Sequence, residues 1–312
     1  RPRFDWPGVY IETVFTGASC AVMLEDAGNT YAVFIDGVLR ATLTGTPGQT
    51  LYPIADGLSP GSHTFALHKR SEASFGVATF EGLLLEPRQT IEPPAPAPER
   101  RLLFLGDSVI AGYGNEAAGP EEPFSAQNSN AYHAFGPVLA RRLGAAYHMV
   151  AISGIGLVRN YGAPGRRSLD PFPVYAPRGI KADASSVWAP ASWQPDALVI
   201  RLGRNDFSTR PAPWGFSFRR ALTRFLTRLR GGYPDTPIVY VTVPRLVDPH
   251  HRHVTRIAER LNTDGAWVHI APFEMGALDK PGDYGSDWHP NVAGHRKIAD
   301  AVEPVLRDAA GW

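Results

Sequence analysis

Apolar and polar positions change rhythm once along this chain, near residue 100. Before that point, short runs rich in β-branched and aromatic residues recur at 9–15, 30–34, 39–43 and 63–69. Turn signals separate them: Asp26-Ala27-Gly28-Asn29, Asp36-Gly37, Pro47-Gly48 and Pro60-Gly61. Asp36-Gly37 between two such runs predicts a hairpin. Strands this short at this spacing predict a small all-β sandwich or jelly-roll domain over residues 1–92. Residues 93–99 follow as a Pro-rich linker, with four prolines within six residues, and predict a semi-rigid extended spacer.

From residue 100 to 312 the pattern alternates. Strand-like apolar runs at 102–105, 146–152, 197–202, 238–243 and 267–270 are separated by helical candidates at 131–143, 216–229, 252–261 and 292–309. In the last helix Ile298, Val302, Val305 and Ala309 share one face, Pro304 is a possible kink, and Gly311 follows the end. Alternation of this kind predicts an α/β, flavodoxin-like domain, a parallel sheet with helices on both faces. Residues 162–195 show neither period and read as a functional or lid-forming loop.

Composition narrows the classes. The chain has 312 residues, 44% of them apolar, with seven tryptophans, as in a well-packed globular protein. Its 31 basic and 30 acidic residues leave a net charge of +1, which points to neither a nucleic acid nor an anionic membrane as partner. The single cysteine, Cys20, rules out an intrachain disulfide and a multi-cysteine zinc site. No apolar run reaches the ~18 residues of a transmembrane helix. The sequence begins at Arg1 rather than methionine, as expected of a processed or trimmed product, and shows no signal peptide.

Four short clusters fall at predicted strand ends or just ahead of the last helix: Gly106-Asp107-Ser108, Ser153-Gly154-Ile155-Gly156, Gly203-Arg204-Asn205-Asp206 and Asp287-Trp288-His289-Pro290-Asn291. Singly, each also reads as a turn or a helix cap. Together they supply what acyl transfer needs. Ser108 is the nucleophile candidate, His289 the base and Asp287 its orienter. The backbone N–H groups of Ser108 and of Gly154 or Gly156, with the Asn205 side chain, are oxyanion-hole candidates.

These clusters, in this order, resemble the four blocks of the SGNH (GDSL-like) hydrolases. The runs Gly106 to Asn115, Ser153 to Gly162 and Asp287 to Pro290 resemble carbohydrate esterase family 2 more narrowly. That family also carries an N-terminal β-sandwich with a Gly-X-His-X5-Lys-Arg segment like Gly61 to Arg70. The resemblance spans nearly the whole chain. It implies a serine esterase, with no cofactor and no metal, that removes O-acetyl groups from plant cell-wall polysaccharides such as xylan and glucomannan, preferentially at the sugar 6-position. It further implies an acetylated polysaccharide or oligosaccharide as partner, and hence a secreted or periplasmic location. Two positions depart from the pattern. Most SGNH enzymes place an acid three residues before the histidine, where this chain has Ser286. Asp287 stands two before, and some family members are thought to use a backbone carbonyl instead. Arg204 stands where threonine is usual and is expected to face solvent.

Tyr113 is expected to wall a small acyl pocket beside Ala111, Gly112 and Gly114, and Asn160 to help shape the cleft. Trp188, Trp214 and Trp288 are the candidate sugar platforms, with Trp193 beside them. Two patterns are set aside. Gly112-Tyr113-Gly114-Asn115-Glu116-Ala117 imitates a dinucleotide fingerprint but starts too far from its strand. His250-His251-Arg252-His253 imitates a metal cluster but reads as a solvated helix start. Two further readings stay open: an esterase or thioesterase on small acyl or lipid esters, and a catalytically silent carbohydrate-binding protein.

Overall fold

The computed structural model describes residues 1–244 and 249–312. The N-terminal part folds as two antiparallel sheets. One orders its strands Val38–Thr44, Thr30–Ile35, Ser62–Lys69, Tyr10–Thr16 and Ile91–Glu92; the other orders Arg3–Phe4, Ala78–Leu85, Cys20–Glu25 and Leu51–Ala55. Their inner faces share one core that includes Phe15, Val22, Leu24, Tyr31, Val33, Phe65 and Leu67. The period-2 burial along Ser62–Lys69 is what puts Phe65 and Leu67 inside. Asp36 and Gly37, both at positive φ, form the expected hairpin turn. Five strands escaped the sequence reading: Arg3–Phe4, Cys20–Glu25, Leu51–Ala55, Ala78–Leu85 and Ile91–Glu92. Two of them are only two residues long, and Pro53 or Glu81 and Gly82 interrupt two others, so pairing with neighbours is what marks them as strands.

Beyond the irregular residues 93–99 lies a five-stranded parallel sheet. Its strands, in chain order, are Arg100–Gly106, Ala145–Ala151, Ala197–Arg201, Ile238–Thr242 and Val268–Pro272, and their spatial order is 2-1-3-4-5. Helices Phe135–Leu143 and Val292–Ala310 pack with one core cluster, helices Gly215–Gly232 and Pro249–Leu261 with another. The last helix runs unbroken through Pro304. Strand order reverses between the first strand and its two neighbours, so the loops after strands one, two and three converge at the carboxyl edge where such sheets hold ligands. Register makes the convergence concrete, since Gly106 pairs with Ala151 on one side and Arg201 on the other.

The spacer does not hold the two parts apart. Arg70 forms an ion pair with Glu116 and donates to the Gln127 carbonyl at 3.1 Å, and Thr30 Oγ1 donates to the Ala126 carbonyl at 2.8 Å. The stretch 162–195, expected to be an irregular lid, contains a short hairpin, Arg178–Ile180 with Asp183–Val187. Asp5 caps its turn by accepting from the N–H groups of Lys181 and Ala182 at 2.8 and 2.9 Å, and Trp6 Nε1 donates to the Arg178 carbonyl at 3.0 Å. It is a strap across the domain junction.

Candidate active site

Ser108 opens a single helical turn, Ser108–Ala111, directly after the first strand. Asp107 caps the turn by accepting the Val109 N–H at 3.2 Å, and Gly112 ends it in the left-handed region. Asp107 also receives Nη1 of Arg201, from the end of the third strand, at 2.5 Å on each carboxylate oxygen. The turn is thereby clamped to the neighbouring strand and presents the Ser108 hydroxyl at the sheet edge.

His289 arrives from the other end of the chain. Its Nε2 stands 2.8 Å from Ser108 Oγ. The segment bearing it is moored to the loop after Ser108: the N–H groups of Ser286 and Asp287 donate to the carbonyls of Gly114 and Pro120 at 3.1 and 3.0 Å. Gly114 is required here, because a Cβ on it would lie 2.4 Å from that of Ser286. Burial, reinforced by the nearby Arg201 charge, lowers the His289 pKa below its ordinary value, while Asp107 and the Ser286 and Asp287 main chain oppose the shift. Lowering keeps the imidazole neutral, the form that accepts a proton.

The third member is not where Asp287 was expected to supply it. The Asp287 carboxylate accepts the Tyr113 hydroxyl at 2.7 Å and makes no hydrogen bond to His289; Nδ1 of His289 faces the Ser286 carbonyl at 3.3 Å. The cause is backbone geometry. Asp287 and Trp288 both lie at positive φ, 52° and 59°, so the chain reverses and turns the carboxylate away. Tyr113 then roofs the base, its ring 4.4 Å from that of His289 and stacked at 4.0 Å on Phe124.

Three donors are candidates for the oxyanion position. The Ser108 and Gly154 N–H groups have no hydrogen-bond partner among the described residues. Asn205 Nδ2 donates to the Ile155 carbonyl at 2.8 Å, leaving its second proton for a ligand. Gly154, at φ 72°, makes the turn that frees its N–H. Gly156 does not join them. Its N–H is spent on Asn160 Oδ1 at 3.0 Å, so Asn160 braces the loop rather than facing the cleft. Asp206 completes that brace by accepting the N–H groups of Leu157, Val158 and Arg159 at 2.7 to 2.9 Å. Burial pushes the Asp206 pKa up to about 6 against those three bonds. Arg159, fully buried, donates to the carbonyls of Gly165, Thr209 and Arg210 and to Thr209 Oγ1. Sequence reading gave no role to Arg201, Asp206, Arg159 or Phe124. Asp206 carried a signal as a neighbour of Asn205, and Arg159 as a member of the family-like run from Ser153 to Gly162.

The tryptophans separate. Trp288 is 49% exposed beside His289, with Lys280 Nζ 5.5 Å from its ring centroid. Trp214 is 57% exposed before its helix, one face covered by Arg166 at 4.1 Å. Trp188 is elsewhere: it sits edge-on to His148 on the second strand, 4.7 Å away, and Nε1 donates to the Tyr233 hydroxyl at 3.2 Å. Trp193 stacks on the same His148 ring at 4.0 Å. Both are packing on the sheet flank, three residues or more below its carboxyl edge. Arg204 is half-buried rather than solvated. The histidine run is also not a solvated helix start: His250 is buried, Nε2 donates to the Leu202 carbonyl at 2.7 Å, and burial takes its pKa down to about 3.

Residues 1–95 match the family described as carbohydrate esterase 2 N-terminal, and residues 104–297 the GDSL-like lipase/acylhydrolase family. Across its full length the chain is 32% identical to the cellulase/esterase CelE of Acetivibrio thermocellus and covers 38% of that protein. It is 34% identical, over 66% of its length, to an acetylxylan esterase / glucomannan deacetylase of Cellvibrio japonicus and covers 56% of it. The chain thus spans well under two thirds of these two curated relatives. The structure of a family two carbohydrate esterase from Clostridium thermocellum in complex with cellohexaose superposes with a TM-score of 0.91 at 29% identity, covering 100% of this chain and 95% of that one.

Proposed function

From the premise that this chain belongs to carbohydrate esterase family 2, we propose that it is a serine esterase that removes O-acetyl groups from plant cell-wall polysaccharides. The observation that carries this reading is the 2.8 Å approach of His289 Nε2 to Ser108 Oγ, with the Ser108 and Gly154 N–H groups unpartnered among the described residues. His289 takes the Ser108 proton as Oγ attacks the acetyl carbonyl carbon. Negative charge gathers on the carbonyl oxygen, where the Ser108 and Gly154 N–H groups and Asn205 Nδ2 stabilise it. Collapse releases the sugar hydroxyl, protonated by His289, and leaves acetyl-Ser108. Water, deprotonated by the same imidazole, then frees acetate. The Ser286 carbonyl orients the base, so a dyad backed by main chain does the work of a triad.

Tyr113 roofing the imidazole supports a short acyl group. The exposed Trp288 ring supports a sugar face stacked next to the scissile ester. Xylan and glucomannan, acetylated at the 6-position where the sugar has one, are the substrates this reading favours, because one similar protein is named for both polymers. Such polymers lie outside the cell, so the reading carries secretion with it; no helix among the described residues is long and apolar enough to cross a membrane. The test is acetate release from acetylated xylan and acetylated glucomannan by wild type and by Ser108→Ala. Release by wild type alone is expected. No release from either polymer, with small acetyl esters also untouched, would overturn the esterase and favour a carbohydrate-binding protein. Turnover confined to longer acyl chains would move the substrate to lipids or thioesters.

A further inference from the structure

We propose that Glu72, a residue of the N-terminal domain, is a positioning residue of the oxyanion pocket, holding Ser153 so that the Gly154 N–H points at the oxygen that becomes charged. This rests on the esterase reading above and assigns the N-terminal domain a part in the chemistry. The Glu72 carboxylate accepts the Ser153 N–H at 3.1 Å on one oxygen and the Ser153 hydroxyl on the other. Two bonds to one residue fix both its backbone and its χ1, which a single staple between domains would not do.

On the N-terminal side of Gly154 nothing else among the described residues holds Ser153. The last ladder bond before it runs from the Ile152 N–H to the Gly106 carbonyl, at 3.1 Å. The next firm one, from the Tyr161 N–H, reaches the Gly154 carbonyl at 2.7 Å. Beyond Gly154 the loop is held by Asn205 on the Ile155 carbonyl, Asn160 on the Gly156 N–H and Asp206 on the next three N–H groups, but among the described residues Ser153 is bonded only by Glu72. The Gly154 N–H itself is unpartnered among the described residues. Its direction is therefore set by the peptide before it.

Glu72 is placed as such a support should be. It is 3% exposed, and burying a carboxylate is costly unless donors meet it. Burial pushes its carboxyl above the ordinary range, and the Ser153 bonds and the Lys69 charge pull it back. Lys69, itself buried, donates from Nζ to the carbonyls of Ser71 and Glu72 at 2.7 and 3.1 Å, which fixes the main chain that carries the carboxylate. Three residues on, Phe75 packs 5.7 Å from Phe124, the ring that stacks on Tyr113 over His289. One turn of the N-terminal domain thus touches the oxyanion side of the site through Glu72 and the base side through Phe75.

The experiment compares wild type, Glu72→Ala, Glu72→Gln and Ser153→Ala on a small chromogenic acetyl ester. Alongside kcat and KM it measures the Kd of an alkyl boronic acid, whose serine adduct carries a tetrahedral oxygen in the oxyanion position. Loss of one oxyanion donor costs about 10²–10³-fold in kcat. Glu72→Ala is expected to lose about 10²-fold in kcat with KM within threefold, and to weaken boronic acid binding by a similar factor. Glu72→Gln, which can still accept the Ser153 N–H and donate to its hydroxyl, is expected to keep most of both. Ser153→Ala, losing one of the two bonds, should fall between. Unchanged kcat in Glu72→Ala, or a kcat loss with no matching loss of boronic acid affinity, would overturn the proposal. If Glu72→Ala does not fold, Ser153→Ala decides by the same criteria. Wild type failing on the small ester would instead defeat the esterase reading on which the inference stands.

Discussion

Nδ1 of His289 faces the carbonyl oxygen of Ser286 at 3.3 Å, while the carboxylate two residues before the histidine is bonded to Tyr113. A carbonyl carries a partial rather than a full charge. It fixes the ring tautomer, because only a protonated Nδ1 donates to it, but it stabilises the imidazolium less than a carboxylate would. In serine hydrolases where the carboxylate does that work, its loss costs about 10⁴-fold in kcat. Here Asp287→Asn, which tolerates the positive φ and keeps an acceptor for Tyr113, is expected to lose less than about tenfold in kcat/KM. A loss of 10³-fold or more on a small acetyl ester would return Asp287 to the triad.

Protonation of His289 sets the acid limb of activity. The reactive form is neutral, and burial with Arg201 lowers the pKa below the ordinary 6.5. Activity therefore rises with pH through a value below 6.5 and is lost as pH falls through it. Arg201→Gln removes a positive neighbour and leaves the Asp107 charge uncompensated, so the limb should move to higher pH. The pH profile of kcat/KM, which reports the free enzyme, checks both statements.

Asn205 contributes an oxyanion donor with one proton already committed to the Ile155 carbonyl. Asn205→Ala is expected to cost about 10²–10³-fold in kcat with little change in KM. A purely structural role would show instead as a lower melting temperature with kcat intact.

Trp288 separates polymer from small-ester chemistry. Its ring is half exposed next to His289 and takes no part in the Ser108–His289 contact. Trp288→Ala should raise KM for acetylated polysaccharide by about tenfold, roughly 1.4 kcal/mol, and leave a chromogenic acetate unaffected. Equal losses on both would place the ring in the acyl pocket.

Arg159 carries a stability prediction. Its guanidinium is fully buried among loop carbonyls of Gly165, Thr209 and Arg210. Arg159→Met strands those acceptors, and charge-assisted hydrogen bonds contribute about 1.5–3 kcal/mol each. A loss of at least about 3 kcal/mol is expected in urea unfolding, with the loop that bears Gly154 the first to exchange its amides.

The sequence alone determined which residues could meet and roughly where. The change from period 2 to strand–helix alternation near residue 100 is local information, and it located all five strands of the parallel sheet. Ser108, Gly154, Asn205 and His289 were legible because each follows a strand or precedes a helix, positions that sheet topology gathers at one edge. What lay beyond the sequence was direction. Whether the Asp287 carboxylate reaches His289 turns on two left-handed residues, Asp287 and Trp288, neither of them glycine, so no residue type announced the reversal. Whether Gly154 or Gly156 offers its N–H turns on where the Asn160 side chain spends its acceptor. Trp188 was as good a sugar platform as Trp288 until packing set it against His148. Contacts between residues far apart in the chain, such as Glu72 with Ser153 or Arg201 with Asp107, leave no periodic trace, because a hydrogen bond constrains atoms in space and not their spacing in sequence.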